Sequence, residues 1–309
     1  MGLLVGKSNV WGRLKHLLQC LIFLAVRLVR GILHRLRRPG AGMTPLDSHA
    51  GPEIPLDAVS QGVRGDAMVV SAQSYLYILG FPLGKAGPNH NGVDGAVGPI
   101  SRAAIAAFQR MTRIGGNGGL DLLTLNELKR VCSLGLTIRD LACKAYKAGV
   151  KMEITNNTTT ADFVTAVYYY ALIDELETKV PAAVTTAQAI LESNYGRQTP
   201  VDLLTGKCSY NLFGVKGKGP AGSVTCWTRE LDQATGSWVR TVAQYEAYNS
   251  FAESIQNHNR LLAANPVGPE APHSVDPVAL ITRIANAGKI PDRHYAASLI
   301  QIIKDWGFT

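Results

Sequence analysis

Apolar residues recur at helical spacing along much of this chain, which makes helices its dominant predicted element. The clearest example follows Asp162, where apolar side chains repeat three and four positions apart as Phe163, Val164, Val167, Tyr168, Ala171, Leu172 and Leu176. One face of such a helix packs against other elements, and the opposite face meets solvent. We therefore predict a mainly α fold.

Residues 61–135 contain three further helical stretches separated by turns. The first covers Ala67–Leu79 and stops at Gly80, a residue type that suits a helix C-terminus. A second helix starts at Ser101, which we interpret as its N-cap, and a third starts near Thr124. This pattern predicts a small three-helix domain.

The N-terminal segment, residues 1–42, is both amphipathic and basic. Leucines recur at helical spacing over residues 14–36, but the longest apolar run, Cys20–Val26, is too short to span a bilayer. The segment fits a cationic helix on an anionic membrane surface, an uncleaved signal-anchor, or a helix that packs on the protein itself. We interpret residues 43–60 and 136–160 as linkers.

The net charge of the chain is +8, and residues 1–40 account for all of it, because they hold eight basic residues and no acidic one. The remainder is close to neutral, so the composition gives no basic folded surface for nucleic acid. We expect the partner to be an anionic cell wall or membrane surface and not a nucleic acid.

Five cysteines are too few for a disulfide scaffold, and none forms a C-x-x-C pair. Cys208 and Cys226 flank one short segment, and they either pair or remain reduced. The histidines form no ligand pair at helical spacing, and we interpret His258 as a surface position on a helix. The sequence therefore predicts neither a metal site nor a cofactor.

The stretch from Pro181 to Gly196 predicts a helix with a carboxylate in its last turn. Pro181 suits the first turn, Gly196 suits the C-terminus, and the buried face comprises Val184, Ala187, Ile190 and Leu191. Glu192 then lies at the helix C-terminus, where the helix dipole disfavours a negative charge, and it is partly desolvated. Both effects raise the pKa of a carboxyl group. A protonated carboxyl can donate the proton that glycoside cleavage needs. From these residues alone, a solvated helix-end glutamate is the simpler interpretation.

Residues 61–135 resemble the three-helix peptidoglycan-binding domain of many cell-wall hydrolases. The matching residues are Gln73, Leu76, Leu79-Gly80, Asp94-Gly95-Ala96-Val97-Gly98, Ala104, Phe108-Gln109, Thr124 and Leu128. Most of these residues are structural, since glycines allow the sharp turn and Asp94 can accept backbone N–H bonds there. The long loop Gly84–Gly92 departs from the family pattern. The resemblance implies that peptidoglycan is the partner of this domain.

Residues 160–309 resemble the glucosaminidases of glycoside hydrolase family 73, which degrade cell walls. Four motifs occur in the family's order, namely Ala187-Gln188-Ala189-Ile190-Leu191-Glu192-Ser193-Asn194-Tyr195-Gly196, Tyr210-Asn211-Leu212-Phe213-Gly214-Val215-Lys216-Gly217, Thr228-Arg229-Glu230 and Tyr248-Asn249-Ser250-Phe251. Tyr295-Ala296 and Leu299 near the end of the chain also fit the family pattern.

This resemblance makes Glu192 the general acid and Glu230, on a mobile hairpin lobe, the second carboxylate. Glu230 would orient water as a base or stabilise the oxocarbenium-like state. Leu231 stands where the family usually has an aromatic residue, which leaves Asp232 as the alternative.

The resemblance also implies a set of substrate-binding residues, which are Gln188, Tyr210, Asn211, Phe213 and Tyr248. Tyr248 would hydrogen-bond the acetamido group of the substrate. Structural roles are equally open, with Asn211 in a turn, Phe213 as a core anchor and Tyr248 as an ordinary core tyrosine.

These observations predict a peptidoglycan-binding domain over residues 61–135 and an α-rich, lysozyme-like catalytic domain with a small β-hairpin lobe over residues 161–309. The expected reaction is hydrolysis of the β-1,4 bond after N-acetylglucosamine, by a monomeric endolysin or autolysin in the cell wall or periplasm. Direct attack by water and assistance by the substrate's acetamido group both remain open. The alternatives are a muramidase or lytic transglycosylase on the same fold, or a non-catalytic wall-binding protein.

Overall fold

A computed structural model describes residues 56–155, 157–231, 236–264, 276–287 and 294–308. The amphipathic segment 1–42 and most of the linker 43–60 lie outside these residues. Within the described residues, no helix is both long and apolar enough to cross a membrane.

Helices dominate the described chain, and one antiparallel β-hairpin interrupts them. The first half contains α1 (Leu56–Ser60), α2 (Ala67–Leu79), α3 (Pro99–Thr112), α4 (Leu122–Ser133) and α5 (Ile138–Lys147). The second half contains α6 (Thr160–Thr178), α7 (Ala182–Ser193), β1 (Ser223–Leu231), β2 (Trp238–Glu246), α8 (Phe251–Ala264), α9 (Pro277–Asn286) and α10 (Tyr295–Trp306). The predicted mainly α fold with a small hairpin is confirmed.

The start of α3 differs from the prediction. The helix begins at Pro99 after an extended Gly98, because proline is pre-organised for a first turn and needs no hydrogen bond to its nitrogen. Ser101 is therefore inside the helix and not its N-cap. Its hydroxyl is buried and accepts a hydrogen bond from Gln73 Nε2 at 3.0 Å.

Two buried glutamines organise the predicted peptidoglycan-binding domain. Gln73 donates to Asp94 Oδ1 at 2.7 Å, and its Oε1 accepts from the backbone nitrogen of Gly95 at 2.8 Å. Gln109 donates to Thr124 Oγ1 at 2.9 Å and accepts from the nitrogen of Gly118 at 3.0 Å. Each glutamine ties a helix to a loop, as expected for residues with a structural role.

The prediction that residues 136–160 form a linker is wrong for their first half, because α5 lies there. Thr137 and Asp140 form a reciprocal capping box, and α5 buries a face comprising Ile138, Leu141, Ala142 and Ala145. Arg139 reaches the buried Glu175 of α6 at 2.8 Å. Basic residues on the outer face obscured this apolar pattern. The domain boundaries themselves stay predictions.

A continuous hydrophobic core runs from the predicted binding domain into the catalytic region. Helix α6 contacts both α3 and α5, and one buried cluster includes residues from both halves. The long loop after Leu83 adds polar contacts, since Gly84 donates to Trp306 O at 3.1 Å and Lys85 pairs with Asp305 at 2.8 Å. The two regions therefore pack as one body.

This shared core predicts one cooperative unfolding transition for both regions. Leu141 is 4% exposed, so Leu141→Ala should cost about 2–5 kcal/mol and lower the melting temperature by roughly 5 °C or more. Calorimetry should still record a single peak. Leu134→Ala is the control, because Leu134 is 59% exposed and should change little. Two separate peaks, with only one displaced by Leu141→Ala, would contradict a shared core.

Candidate active site

Glu192 lies in the last turn of α7, as predicted. The helix ends in three consecutive left-handed residues, Asn194 with φ 47°, Tyr195 with φ 60° and Gly196 with φ 77°. A Cβ at position 196 would lie 2.7 Å from Cε2 of Phe163, so the close approach of this turn to α6 requires glycine. The turn thereby fixes the end of α7 against the core.

The side chain of Glu192 opens into a cleft of about 360 Å³. One wall is the turn after α7, and the opposite wall is the β-hairpin, which contributes Cys226, Trp227 and Tyr245. Trp227 is 52% exposed, and the guanidinium of Arg240 stacks over its ring at 4.4 Å. The carboxyl group of Glu192 and the exposed ring of Trp227 thus line the same cleft.

The pKa of Glu192 is raised above its ordinary value, and desolvation by the surrounding protein is the largest cause. The residue is exposed on its cleft side, but protein atoms crowd the carboxyl group. A hydrogen bond from the Tyr295 hydroxyl opposes the shift by stabilising the charged form. The predicted direction of the shift is confirmed, with desolvation as its main source.

A chain of polar side chains lies behind Glu192. Gln188, one turn earlier on α7, is buried and donates from Nε2 to the Tyr295 hydroxyl at 2.9 Å. Its Oε1 lies 3.0 Å from Nε2 of His258 on α8. The His258 ring stacks on Phe213 with centroids 3.7 Å apart and an interplanar angle of 3°.

The structure corrects the prediction that His258 is a surface position, because the residue is half-buried and its ring contacts Gln188 and Phe213. Desolvation lowers its pKa to about 3, so the ring is neutral at physiological pH. Spacing on α8 contained the signal, because Phe251, Ser254 and Ile255 precede His258 at helical intervals and are buried. In the sequence, Tyr295 stands out only as part of the family pattern, and the structure places it against Glu192.

Asn211 and Tyr210 occupy different environments. Asn211 is buried, donates from Nδ2 to Val215 O at 2.8 Å and to Glu246 O at 3.0 Å, and so holds its own loop against β2. Tyr210 is 37% exposed and packs edge-on against Phe251, with ring centroids 5.1 Å apart. Tyr210 lines a second cavity, of about 520 Å³. Substrate contact by either residue stays a prediction.

Tyr248 is buried in the core of the catalytic region. Its hydroxyl donates to Glu246 Oε2 at 2.5 Å and accepts from Asn257 Nδ2 at 2.8 Å. Burial is the largest cause that raises its pKa. The predicted contact with an acetamido group stays untested, and the observed partners favour a structural role.

Glu230 lies in β1, where its backbone pairs with Val239. Glu230 lies four positions after Cys226 of the cleft wall, which is about 13 Å of extended chain. Asp232, the alternative carboxylate, lies outside the described residues. The role of Glu230 as second carboxylate therefore stays a prediction.

Asp202 is a further carboxylate beside the cleft, and the sequence did not single it out. Its carboxylate accepts hydrogen bonds from the backbone nitrogens of Thr225 and Thr205, both at 2.9 Å. These bonds are the largest causes that lower its pKa to about 2. Asp202 stays ionised and ties its loop to β1, so it is unsuited to donate protons.

Cys208 and Cys226 are both free thiols in the structure, which agrees with the reduced alternative. Burial raises the pKa of Cys226. Among the described residues, no cluster of three or more His, Cys, Asp or Glu side chains could hold a metal ion.

The chain matches two family models. Residues 169–307 match the glucosaminidase family, described as mannosyl-glycoprotein endo-beta-N-acetylglucosaminidase, and residues 65–128 match a peptidoglycan binding domain. All of α5 and the start of α6 lie between the two matches.

The chain is similar to proteins named as a peptidoglycan hydrolase and as a probable N-acetylmuramidase. The peptidoglycan hydrolase FlgJ of Escherichia coli K12 is 33% identical over 129 residues, which is 40% of this chain and 40% of FlgJ. A Lactococcus lactis subsp. cremoris protein named "Probable N-acetylmuramidase" is 33% identical over 138 residues, 41% of this chain and 29% of that protein. This chain thus spans well under half of either relative.

Among solved structures, a C-terminally truncated glycoside hydrolase domain of Salmonella typhimurium FlgJ aligns with a TM-score of 0.39 and 28% identity. The alignment covers 47% of this chain and 96% of that domain. By their family matches, residues 169–307 belong to the glucosaminidase family and residues 65–128 to the peptidoglycan binding domain family.

Proposed function

We propose that this protein is a peptidoglycan hydrolase that cleaves the β-1,4 bond after N-acetylglucosamine, with Glu192 as the general acid. The observation that carries the proposal is a carboxyl group with a raised pKa that opens into a cleft of the glucosaminidase-family domain. The N-acetylglucosaminidase activity is taken from the name of that family.

In the proposed reaction, protonated Glu192 donates its proton to the glycosidic oxygen as the bond to the anomeric carbon breaks. Either water, activated by Glu230, or the substrate's own acetamido oxygen attacks the anomeric carbon. In the second route, water then opens the cyclic intermediate and gives one of its protons to the Glu192 carboxylate, which restores the acid, while the proton donated first leaves on the hydroxyl of the departing sugar. Desolvation of Glu192 favours the protonated starting form.

Mass spectrometry of the fragments released from purified peptidoglycan tests the bond specificity. Reducing-end N-acetylglucosamine supports the proposal. Reducing-end N-acetylmuramic acid would instead support a muramidase, which the name of the Lactococcus lactis relative makes the leading alternative. Anhydromuramic acid would indicate a lytic transglycosylase.

The peptidoglycan binding domain is proposed to hold the enzyme on its insoluble substrate. A groove of about 310 Å³ in this domain is lined by Val69, Arg102, Gly118 and other residues, and Arg102 is exposed there. An exposed guanidinium can pair with carboxylates of the wall. The groove is therefore the proposed contact surface.

Arg102→Glu should reduce cosedimentation with intact cell walls several-fold, because a repulsive charge replaces an attractive one. Turnover of soluble peptidoglycan fragments should stay unchanged. Lys129→Glu is the matched control, since Lys129 is an exposed base outside the groove. Equal loss in both variants would show that general charge, and not the groove, governs binding.

Residues 1–42 are proposed to bind an anionic membrane surface, as their basic amphipathic sequence indicates. Such binding fits an endolysin or autolysin that works at the cell wall or in the periplasm. The test compares the full chain with a chain that lacks residues 1–42 on anionic and on neutral vesicles. Equal binding by both chains would leave only the export or packing interpretations.

A further inference from the structure

His258 has a polar contact and a stacking contact in the catalytic region, and the proposed reaction uses neither directly. Its Nε2 lies 3.0 Å from Gln188 Oε1, and its ring lies flat on Phe213. Because desolvation lowers its pKa to about 3, the ring carries one proton at the pH of catalysis. Since Gln188 presents an oxygen, which cannot donate, that proton must reside on Nε2.

The direction of the remaining hydrogen bonds follows from this one. With Oε1 of Gln188 occupied by the histidine, the amide nitrogen faces Tyr295 and donates to its hydroxyl oxygen at 2.9 Å. A hydroxyl group that accepts on this side directs its single proton elsewhere. The neighbouring acceptor is the carboxyl group of Glu192, whose pKa the Tyr295 hydroxyl lowers. In this series of hydrogen bonds, each donor therefore points from His258 towards Glu192.

We infer that His258 is a positioning residue. It fixes the amide orientation of Gln188, and it thereby keeps the O–H of Tyr295 directed towards the carboxyl group of Glu192. The inference rests on the proposed role of Glu192 as the acid. It assigns Gln188 to orientation of the acid in place of the predicted contact with substrate.

Loss of the imidazole N–H has a specific consequence. The Gln188 amide becomes free to rotate by half a turn and present its oxygen to Tyr295, which then donates to Gln188. Glu192 loses the hydrogen bond that stabilises its charged form, so its pKa rises further. The other titratable groups that line the cleft are Tyr245 and Cys226, on the hairpin, and neither changes in this rearrangement.

The experiment compares His258→Phe, which keeps an aromatic ring on Phe213 without a donor, with His258→Gln, which restores an amide N–H of similar reach. His90→Phe, at an exposed histidine of the binding domain, is the control. Turnover of soluble peptidoglycan fragments is measured from pH 4 to 9, together with the melting temperature. A ¹³C NMR titration of the Glu192 carboxyl reads its pKa without reliance on activity.

His258→Phe should lower kcat about tenfold, less than the roughly 10²–10⁴-fold contribution of a general acid, and leave KM within about twofold. The alkaline limb of its kcat profile and the pKa of Glu192 should both move up by about one pH unit. His258→Gln should restore both to near the wild-type values. An unchanged Glu192 pKa in His258→Phe overturns the inference, whatever happens to kcat. If wild type cleaves no glycosidic bond, the proposed function fails, and the titration still decides the role of His258.

Discussion

Glu192→Gln should lower the turnover of peptidoglycan by about 10²–10⁴-fold, because glutamine cannot give a proton to the leaving oxygen. The fold should survive, since the amide has the same shape and its oxygen can still accept from Tyr295. The measurement is the release of reducing ends from soluble fragments by purified variant and wild type. Binding to intact walls should be unaffected.

Glu192→Gln should also change how the melting temperature depends on pH. The pKa of Glu192 is raised in the folded state, so the folded protein binds the proton more tightly than the unfolded chain does. The stabilisation from this proton is complete at pH values below the pKa that Glu192 has in the unfolded chain. It is lost as the pH rises through the higher pKa that Glu192 has in the folded protein. Glutamine never ionises, so Glu192→Gln should melt at an equal or higher temperature than wild type at pH 8.

Glu177→Gln is the matched control for both measurements, because Glu177 is an exposed carboxylate on α6 and does not line the cleft. It should leave activity and the melting temperature unchanged. If Glu192→Gln kept full activity, Glu192 would not be the acid. If both variants lost activity in step with their melting temperatures, the loss would reflect folding.

Sequence periodicity located the helices well wherever one face was continuously apolar. It missed α5 because Arg139, Lys144 and Lys147 lie between the buried positions and give the segment the average composition of a linker. Tertiary contacts supply what local composition lacks. Leu141 and Ala145 are buried only because α3 and α6 pack beside α5.

The candidate site was predictable to the level of its motifs, and less so to the level of contacts. Glu192 was identified by its place in a helix and a motif together. Gln188, Asn211 and Tyr248 belong to the same motifs, yet their polar atoms bond to other protein groups and hold the site together. A motif indicates that a residue type is needed at a position. Only the hydrogen-bond partners seen in the structure distinguish a residue that contacts substrate from one that stabilises the site.

His258 illustrates the same limit from the opposite direction. Its position on α8 follows the helical spacing of buried residues, a signal that our surface interpretation missed, and a half-buried histidine has many structural uses. Its partner Gln188 is 70 residues away in the chain, and Tyr295 is 107 residues from Gln188. No local pattern can connect positions at such separations, so the hydrogen-bond chain emerges only from the packing of α7, α8 and α10.

Glu230→Gln should lower kcat by about 10²-fold or more with little change in KM, if a carboxylate at this position activates water. Asp232→Asn, the neighbouring carboxylate, is the matched control and should retain nearly full activity. Initial rates on soluble peptidoglycan fragments check both variants, and their melting temperatures should match wild type. A large loss in Asp232→Asn alone would transfer the role to Asp232.

Azide then separates the two routes open for attack on the anomeric carbon. In Glu230→Gln, azide can replace the activated water, since it needs no base, while Glu192 still protonates the leaving oxygen. Direct displacement predicts restored turnover and a glycosyl azide of inverted configuration. With acetamido assistance, the substrate's own oxygen attacks first, so any azide product would keep the original configuration. Because Glu230 lies about 13 Å along the strand from the cleft residue Cys226, direct displacement further requires that the hairpin bring Glu230 to the water beside Glu192. A restraint that kept Glu230 away from the cleft would then lower turnover in water as much as Glu230→Gln does.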